Sequence, residues 1–227
     1  MRRLMLAALL LGAAAPACAA ERDFPTVGFD KVDLAAAAKI DVHSGGRFAV
    51  HASGDPKWLD LLNIRVVQGT LVIGWTREHI NMNGHDPIHI QITMPRISGA
   101  TISGAGTINV DRAEGPEFAA VIRGAGTIDL PVLHADRVRF EMGGAGKITA
   151  AGSAGSVDAH VRGFGAIEAA GLTARAGKFD MSGTGSIKAR VDGPADAMMN
   201  GVGSIDVVGN ARCTVHKSGL GSVHCGG

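Results

Sequence analysis

Apolar and polar positions alternate with a period of two along most of this chain, which is the signature of strands with one buried face. Ile40, Val42, Phe48 and Val50 keep that rhythm, as do Leu71, Ile73 and Trp75, and then Ile88, Ile90, Ile92 and Met94. One interruption reads Asp55-Pro56-Lys57-Trp58-Leu59-Asp60-Leu61-Leu62; an Asp cap followed by Pro at the first helical position predicts one short helix. From residue 98 the alternation becomes a repeat. Four residues after a first glycine stands Ile or Val, two further on Val110, Leu130, Ala150, Ala169, Ala189, Val207 or Cys225, and two-residue steps backward give Ile102, Ile122, Met142, Val161, Met181 and Met199.

The repeating unit is Gly-x-Gly-x-Ile/Val. Its paired glycines are Gly104 and Gly106, Gly124 and Gly126, Gly144 and Gly146, Gly163 and Gly165, Gly183 and Gly185, Gly201 and Gly203, and Gly219 and Gly221. The first glycines are spaced by 20, 20, 19, 20, 18 and 18 residues. Fixed periodicity of this length means stacked structural repeats. Two short strands joined at a glycine corner, where the chain turns with no room for a side chain, make one coil. A single coil cannot bury its apolar face, so seven would stack at ~4.8 Å per rung into a rod roughly 34 Å long. The expected fold is all-β, a parallel β-helix (β-solenoid) with coils of about 19 residues, right-handed by the chirality of parallel crossovers. Leu133, Leu172 and Val208 are expected on the return side. Residues 21–97 read as strands and a short helix of the same β-helical domain, covering the first rung, and 98–227 as the seven-repeat solenoid. Such a cover is expected because a bare rung is a sticky edge.

Composition fits this picture. The chain has 227 residues, 46% hydrophobic and 19% charged, which suits one domain or two small ones and argues against disorder. Glycine counts 33, aromatics make up 4% and Tyr is absent, so a conventional aromatic-rich core is not expected. There is no Gly-X-Y period of collagen. The formal charge of +1 gives no electrostatic footprint for nucleic acid.

Residues 1–20 have the layout of a secretory signal peptide: Arg2 and Arg3, an apolar run over residues 4–11, then small residues through Ala20. The run is short for a membrane anchor. Cleavage fits after Ala17, Ala19 or Ala20; the alternative of a lipoprotein acylated at Cys18 has Ala15 where a large aliphatic residue is preferred. Cutting after Ala20 removes Arg2 and Arg3 and leaves 20 basic against 21 acidic residues, with no later helical membrane span.

With these residues in view, the chain resembles the bacterial head GIN domain family of auto-transporter adhesins. The resemblance rests on Phe29-Asp30-Lys31-Val32, Gly69-Thr70-Leu71-Val72-Ile73, Ile90-Gln91-Ile92-Thr93-Met94-Pro95 and Ser103-Gly104-Ala105-Gly106, and it covers roughly residues 26–227. It implies an exported β-helical domain of Gram-negative bacteria, in the periplasm or at the cell surface, and carries over no catalytic residue. An auto-transporter also needs a C-terminal β-barrel translocator. Gly227 follows directly on the last repeat, so self-export across the outer membrane is not expected, and periplasmic residence or surface display through other machinery stands beside adhesion.

Secreted β-helices often cleave polysaccharides, using acids gathered on an outward face. One outward ladder here reads Asn109, Asp129, Thr149, Glu168, Lys188, Asp206, His224, and another Thr101, Val121, Glu141, His160, Asp180, Met198, His216. Glu141, His160 and Asp180 would stack with the acids ~10 Å apart, a spacing open to a cation or a glycosidic bond but equally to a solvated face of alternating charge. No catalytic, cofactor or metal residue is therefore assigned. The glycine pairs lack the continuation of a dinucleotide fingerprint or a phosphate loop, and their period is wrong for a calcium-binding β-roll. His79, His85, Asp86 and His89 crowd one segment, where Asn83-Gly84 also signals a polar hairpin turn.

Cys213 lies six residues before Gly219 and Cys225 six after it, with Val215 and Val223 matched at four. Across a flat coil the two cysteines should point inward at one another, so a disulfide is expected in an oxidising compartment. Between the paired glycines stand Ala105, Ala125, Ala145, Phe164, Thr184, Val202 and Leu220. Phe164, Val202 and Leu220 form a candidate interaction ladder, either an exposed seam for docking or self-association or a set of side chains tucked into the corner. The function expected is a non-enzymatic, adhesin-like binding or structural module of the cell envelope, whose partner is an envelope or surface glycan or protein. A polysaccharide-acting enzyme is the alternative.

Overall fold

The computed structural model describes residues 20–76 and 88–226. The chain is a β-solenoid whose rungs hydrogen-bond in parallel. Ala105–Val110 pairs with the start of Ala125–Met142, and the register runs on through Ala145, Phe164, Thr184, Val202 and Leu220. Ile108, Ile128, Ile148, Ile167, Ile187 and Ile205 therefore form one buried column. Facing it, Ala100, Ala120, Phe140, Ala159, Phe179 and Ala197 form another, in which large and small side chains interleave. A flattened coil leaves a thin interior, and a ring fits where the rungs beside it carry Ala.

The glycine corner has a steric cause. At Gly124 a Cβ would point along the stack into the carbonyl oxygen of Gly104, and the same holds rung after rung. The second glycine adds a backbone requirement, as at Gly106 with φ 133°. The missing side chains thus face the next rung rather than the core. At the opposite, return side the long strands bend at register shifts, between Leu130 and Leu133 and between Ala169 and Thr173. Leu133 and Leu172 are buried there. Val208 departs from the expected return ladder: the shorter final coils stack it on Arg190 and leave it 39% exposed.

Chain order and stacking order differ at the N-terminal end. Lys31–Leu34 and Ala37–Ser44 form a rung of their own, laid directly on Gly99–Ile102 and Ala105–Val110. Thr70–Trp75 and Ile88–Met94 form a further rung beyond it. That rung is closed by antiparallel strands: Leu62–Val67 on Thr70–Trp75, Ala49–Gly54 on Ile88–Met94, and Ala20–Asp23 outermost. The short helix is Pro56–Leu59, with the Asp55 side chain accepting from the Lys57 amide at 2.9 Å. Its Leu59 is buried, and Trp58 meets Trp75 edge-on with ring centroids 6.4 Å apart. At the other end, Arg212–Lys217 and Leu220–Cys225 pair on one side, with Pro194–Met199 and Val202–Val208.

Candidate functional site

Parallel stacking turns each outward position into a ladder. One face carries Lys31, Gly99, Ala119, Arg139, Asp158, Lys178, Asp196 and Thr214 in successive rungs. The Lys31 stem lies over Gly99, and Ala119 puts almost no side chain between it and Arg139, so the face dips at Ala119. The dip is an open groove of about 640 Å³ with Ala119 in its lining. Lys31, Arg96, Arg137 and Arg139 border it together with Asp30, Glu114, Glu117 and Asp158.

These charges are partly committed to each other. The Arg137 Nε donates to Glu117 Oε1 at 2.8 Å, and Glu117 raises the Arg137 pKa by that hydrogen bond. Ser98 donates its hydroxyl to Asp30 Oδ2 at 2.7 Å, and Lys31 Nζ lies 3.3 Å from Asp30 Oδ1. Burial alone would push Asp30 up; Ser98, Lys31 and the nearby Arg96 outweigh it and hold the carboxyl below its ordinary value. The rim thus presents hydrogen-bonding side chains of both signs.

Glu141, His160 and Asp180 do stack in adjacent rungs. His160 Nε2 lies 2.8 Å from Asp158 Oδ1, at the groove's edge, and Nδ1 lies 3.9 Å from Asp180 Oδ2. Glu141 is hydrogen-bonded by Arg139 and Arg162. Burial pushes its pKa up, but the two guanidinium groups outweigh that and hold it below the ordinary value. A glycosidase acid needs the opposite shift. Among the described residues no cluster of His, Cys, Asp and Glu has metal-holding geometry. His79, His85 and Asp86 lie outside the described residues, while His89 Nε2 sits 2.5 Å from Asp41 Oδ2.

The corner residues Ala105, Ala125, Ala145, Phe164, Thr184, Val202 and Leu220 stack outward at the edge. Phe164 is 68% exposed, Val202 48% and Leu220 78%. Cys213 and Cys225 face one another in the last rung, Cα atoms 6.3 Å apart and sulfurs within bonding reach.

The fold agrees with the comparisons. A family model described as "Putative auto-transporter adhesin, head GIN domain" matches residues 28–211. The chain belongs to this family. Among solved structures, this head GIN domain is similar to a putative adhesin from Bacteroides fragilis, at 24% identity and TM-score 0.86 over 94% of this chain and 99% of that one. It is also similar to a putative lipid binding protein from Parabacteroides distasonis, at 18% identity and TM-score 0.70 over 92% and 96%. A putative adhesin from Parabacteroides merdae matches at 13% identity and TM-score 0.57 over 92% and 96%. At these identities the likeness is one of fold. No curated protein matches the chain. Among the described residues no helix is long and apolar enough to cross a membrane.

The groove escaped the sequence reading. Its signal was Ala119, beside Gly99, at a ladder position held by Lys31, Arg139, Asp158, Lys178 and Asp196 in other rungs. Seeing it required knowing that Lys31 stacks next to Gly99, across 68 positions of chain.

Proposed function

We propose that this head GIN domain is an exported, non-enzymatic, adhesin-like binding module of the Gram-negative cell envelope, holding an envelope or surface glycan or protein in the groove between Lys31 and Arg139. The observation that carries this is the dip at Ala119, bordered by acidic and basic side chains. Family membership supports the adhesin-like role. The signal-like residues 1–20 and a Cys213–Cys225 disulfide fit export to an oxidising compartment.

Two experiments test it. Protease treatment of intact cells, then of spheroplasts, places the protein: digestion on intact cells supports adhesion at the surface, and protection until the outer membrane is opened moves the ligand search to the periplasm. Glycan and cell-binding screens then compare the native chain with Ala119→Arg, which fills the groove from an outward position. Binding that Ala119→Arg abolishes is expected; binding that survives it unchanged would sink the groove assignment.

A further inference from the structure

The two ends of the stack are chemically unlike. On the terminal rung Arg212 and Ser218 donate their amides back to Gly193 O and Met199 O. Alternation along a parallel strand then turns the Cys213, Val215 and Lys217 amides away from the stack, and among the described residues no strand pairs with that side. The inward columns also end there uncovered: Val215 is 44% exposed, and Val223 and Cys225 are half-buried.

Charge distinguishes this edge further. Residues 207–227 contain Arg212, His216, Lys217 and His224 and no Asp or Glu, and of these His224 lies 3.1 Å from Asp206 of the preceding rung. Lys217 is the telling residue. It continues in register the column Leu34, Ile102, Ile122, Met142, Val161, Met181 and Met199, all fully buried and apolar, so the terminal rung carries an exposed lysine where every earlier rung carries a hydrophobe. An inward-pointing charge on an edge strand opposes pairing with a like edge. Two terminal rungs brought together would oppose cation to cation.

We propose that the terminal rung, Arg212–Lys217 with Leu220–Cys225, is a docking edge for an extended acidic segment of a partner polypeptide, which adds as one more strand. Main-chain hydrogen bonds from the free edge would hold the segment, apolar side chains would cover Val215 and Val223, and a carboxylate would meet Lys217. The Leu220 side chain extends the apolar contact around the corner. This site is separate from the groove, and the groove assignment can fail without affecting it.

The test uses the full chain and two short capped peptides, one alternating Val with Glu and one alternating Val with Lys. Residue-resolved hydrogen exchange of Val215, Lys217 and Val223 is the readout. The Val/Glu peptide is expected to slow exchange there by about tenfold or more while the Val/Lys peptide does not. Lys217→Glu combined with Arg212→Glu should reverse that preference; Lys217→Glu alone, at an exposed position, covers the case in which the double variant misfolds. Equal protection by both peptides, or by neither, would overturn the proposal. So would amides already protected in the free chain, or protection that tracks protein concentration, which would make the occupant a second copy.

Discussion

The first and last rungs share one geometry and meet opposite fates. Thr70–Trp75 and Ile88–Met94 lie under antiparallel strands and a helix, so Leu71, Ile73, Ile88, Ile90 and Ile92 are fully buried. Arg212–Lys217 and Leu220–Cys225 repeat the same corner with nothing beyond them among the described residues, and no side chain of theirs is fully buried. In a stack each rung contacts its neighbours alone, so local stability follows the number of neighbours. The difference teaches that one end is closed by chain that abandons the repeat, while among the described residues the other carries a close cysteine pair and basic side chains.

The largest effect should come from breaking the inner stack. Gly124→Val, which drives side-chain atoms into the Gly104 carbonyl, is expected to prevent folding or to cost well over ~3 kcal/mol in urea titrations. Truncating the covered end with Ile90→Ala should cost ~2–5 kcal/mol, whereas Val215→Ala at the open end should cost less than ~1 kcal/mol. Equal costs would erase the contrast. Replacing Cys213 and Cys225 with Ser should cost ~2–3 kcal/mol, expressed as faster exchange confined to the terminal rung. Mass analysis after alkylation checks the premise, since two alkylated cysteines in unreduced exported protein would refute the crosslink.

Two pH effects of opposite sign are smaller. Asp30 and Glu141 have depressed pKa values in the folded chain, so their stabilisation is present above the ordinary carboxylate value and is lost as pH falls through the folded one. Denaturation midpoints should drop on acidification, and Glu141→Gln should flatten part of that slope. His51 is raised, first by its hydrogen bond to Asp23. Its tie between Ala49–Gly54 and Ala20–Asp23 is fully present below the ordinary histidine value of about 6.5 and is lost as pH rises through the folded value. Amides of Ala20–Asp23 should therefore open first as pH rises, after correction for intrinsic exchange.

Much of the architecture was legible because parallel in-register stacking repeats one steric demand. Each rung presses a carbonyl against the next corner, so glycine recurs; each inward column must be apolar, so the alternation persists through six successive isoleucines. The facing cysteines followed from mirror spacing about Gly219. What was not legible depends on non-repeating chain. Rung order at the N-terminal end is scrambled by pairings such as Lys31 with both Thr70 and Gly99, which no local periodicity encodes. The groove inherits that difficulty, since it lies where the out-of-order rung meets the repeats. Val208 was misplaced because the shift between Ala169 and Thr173 dropped residues from the return side.

The most direct measurement is hydrogen exchange resolved along the whole chain at one pH without ligand. Protection should be greatest across the rungs from Ile40 to Ile187, remain high in Leu71–Ile73 and Ile88–Met94 beneath their covering strands, and fall sharply at Arg212–Lys217 and Leu220–Cys225. A terminal rung as protected as the Ile128–Ile148 layer, or a Thr70–Trp75 strand that exchanges freely, would contradict the closed-end, open-end account.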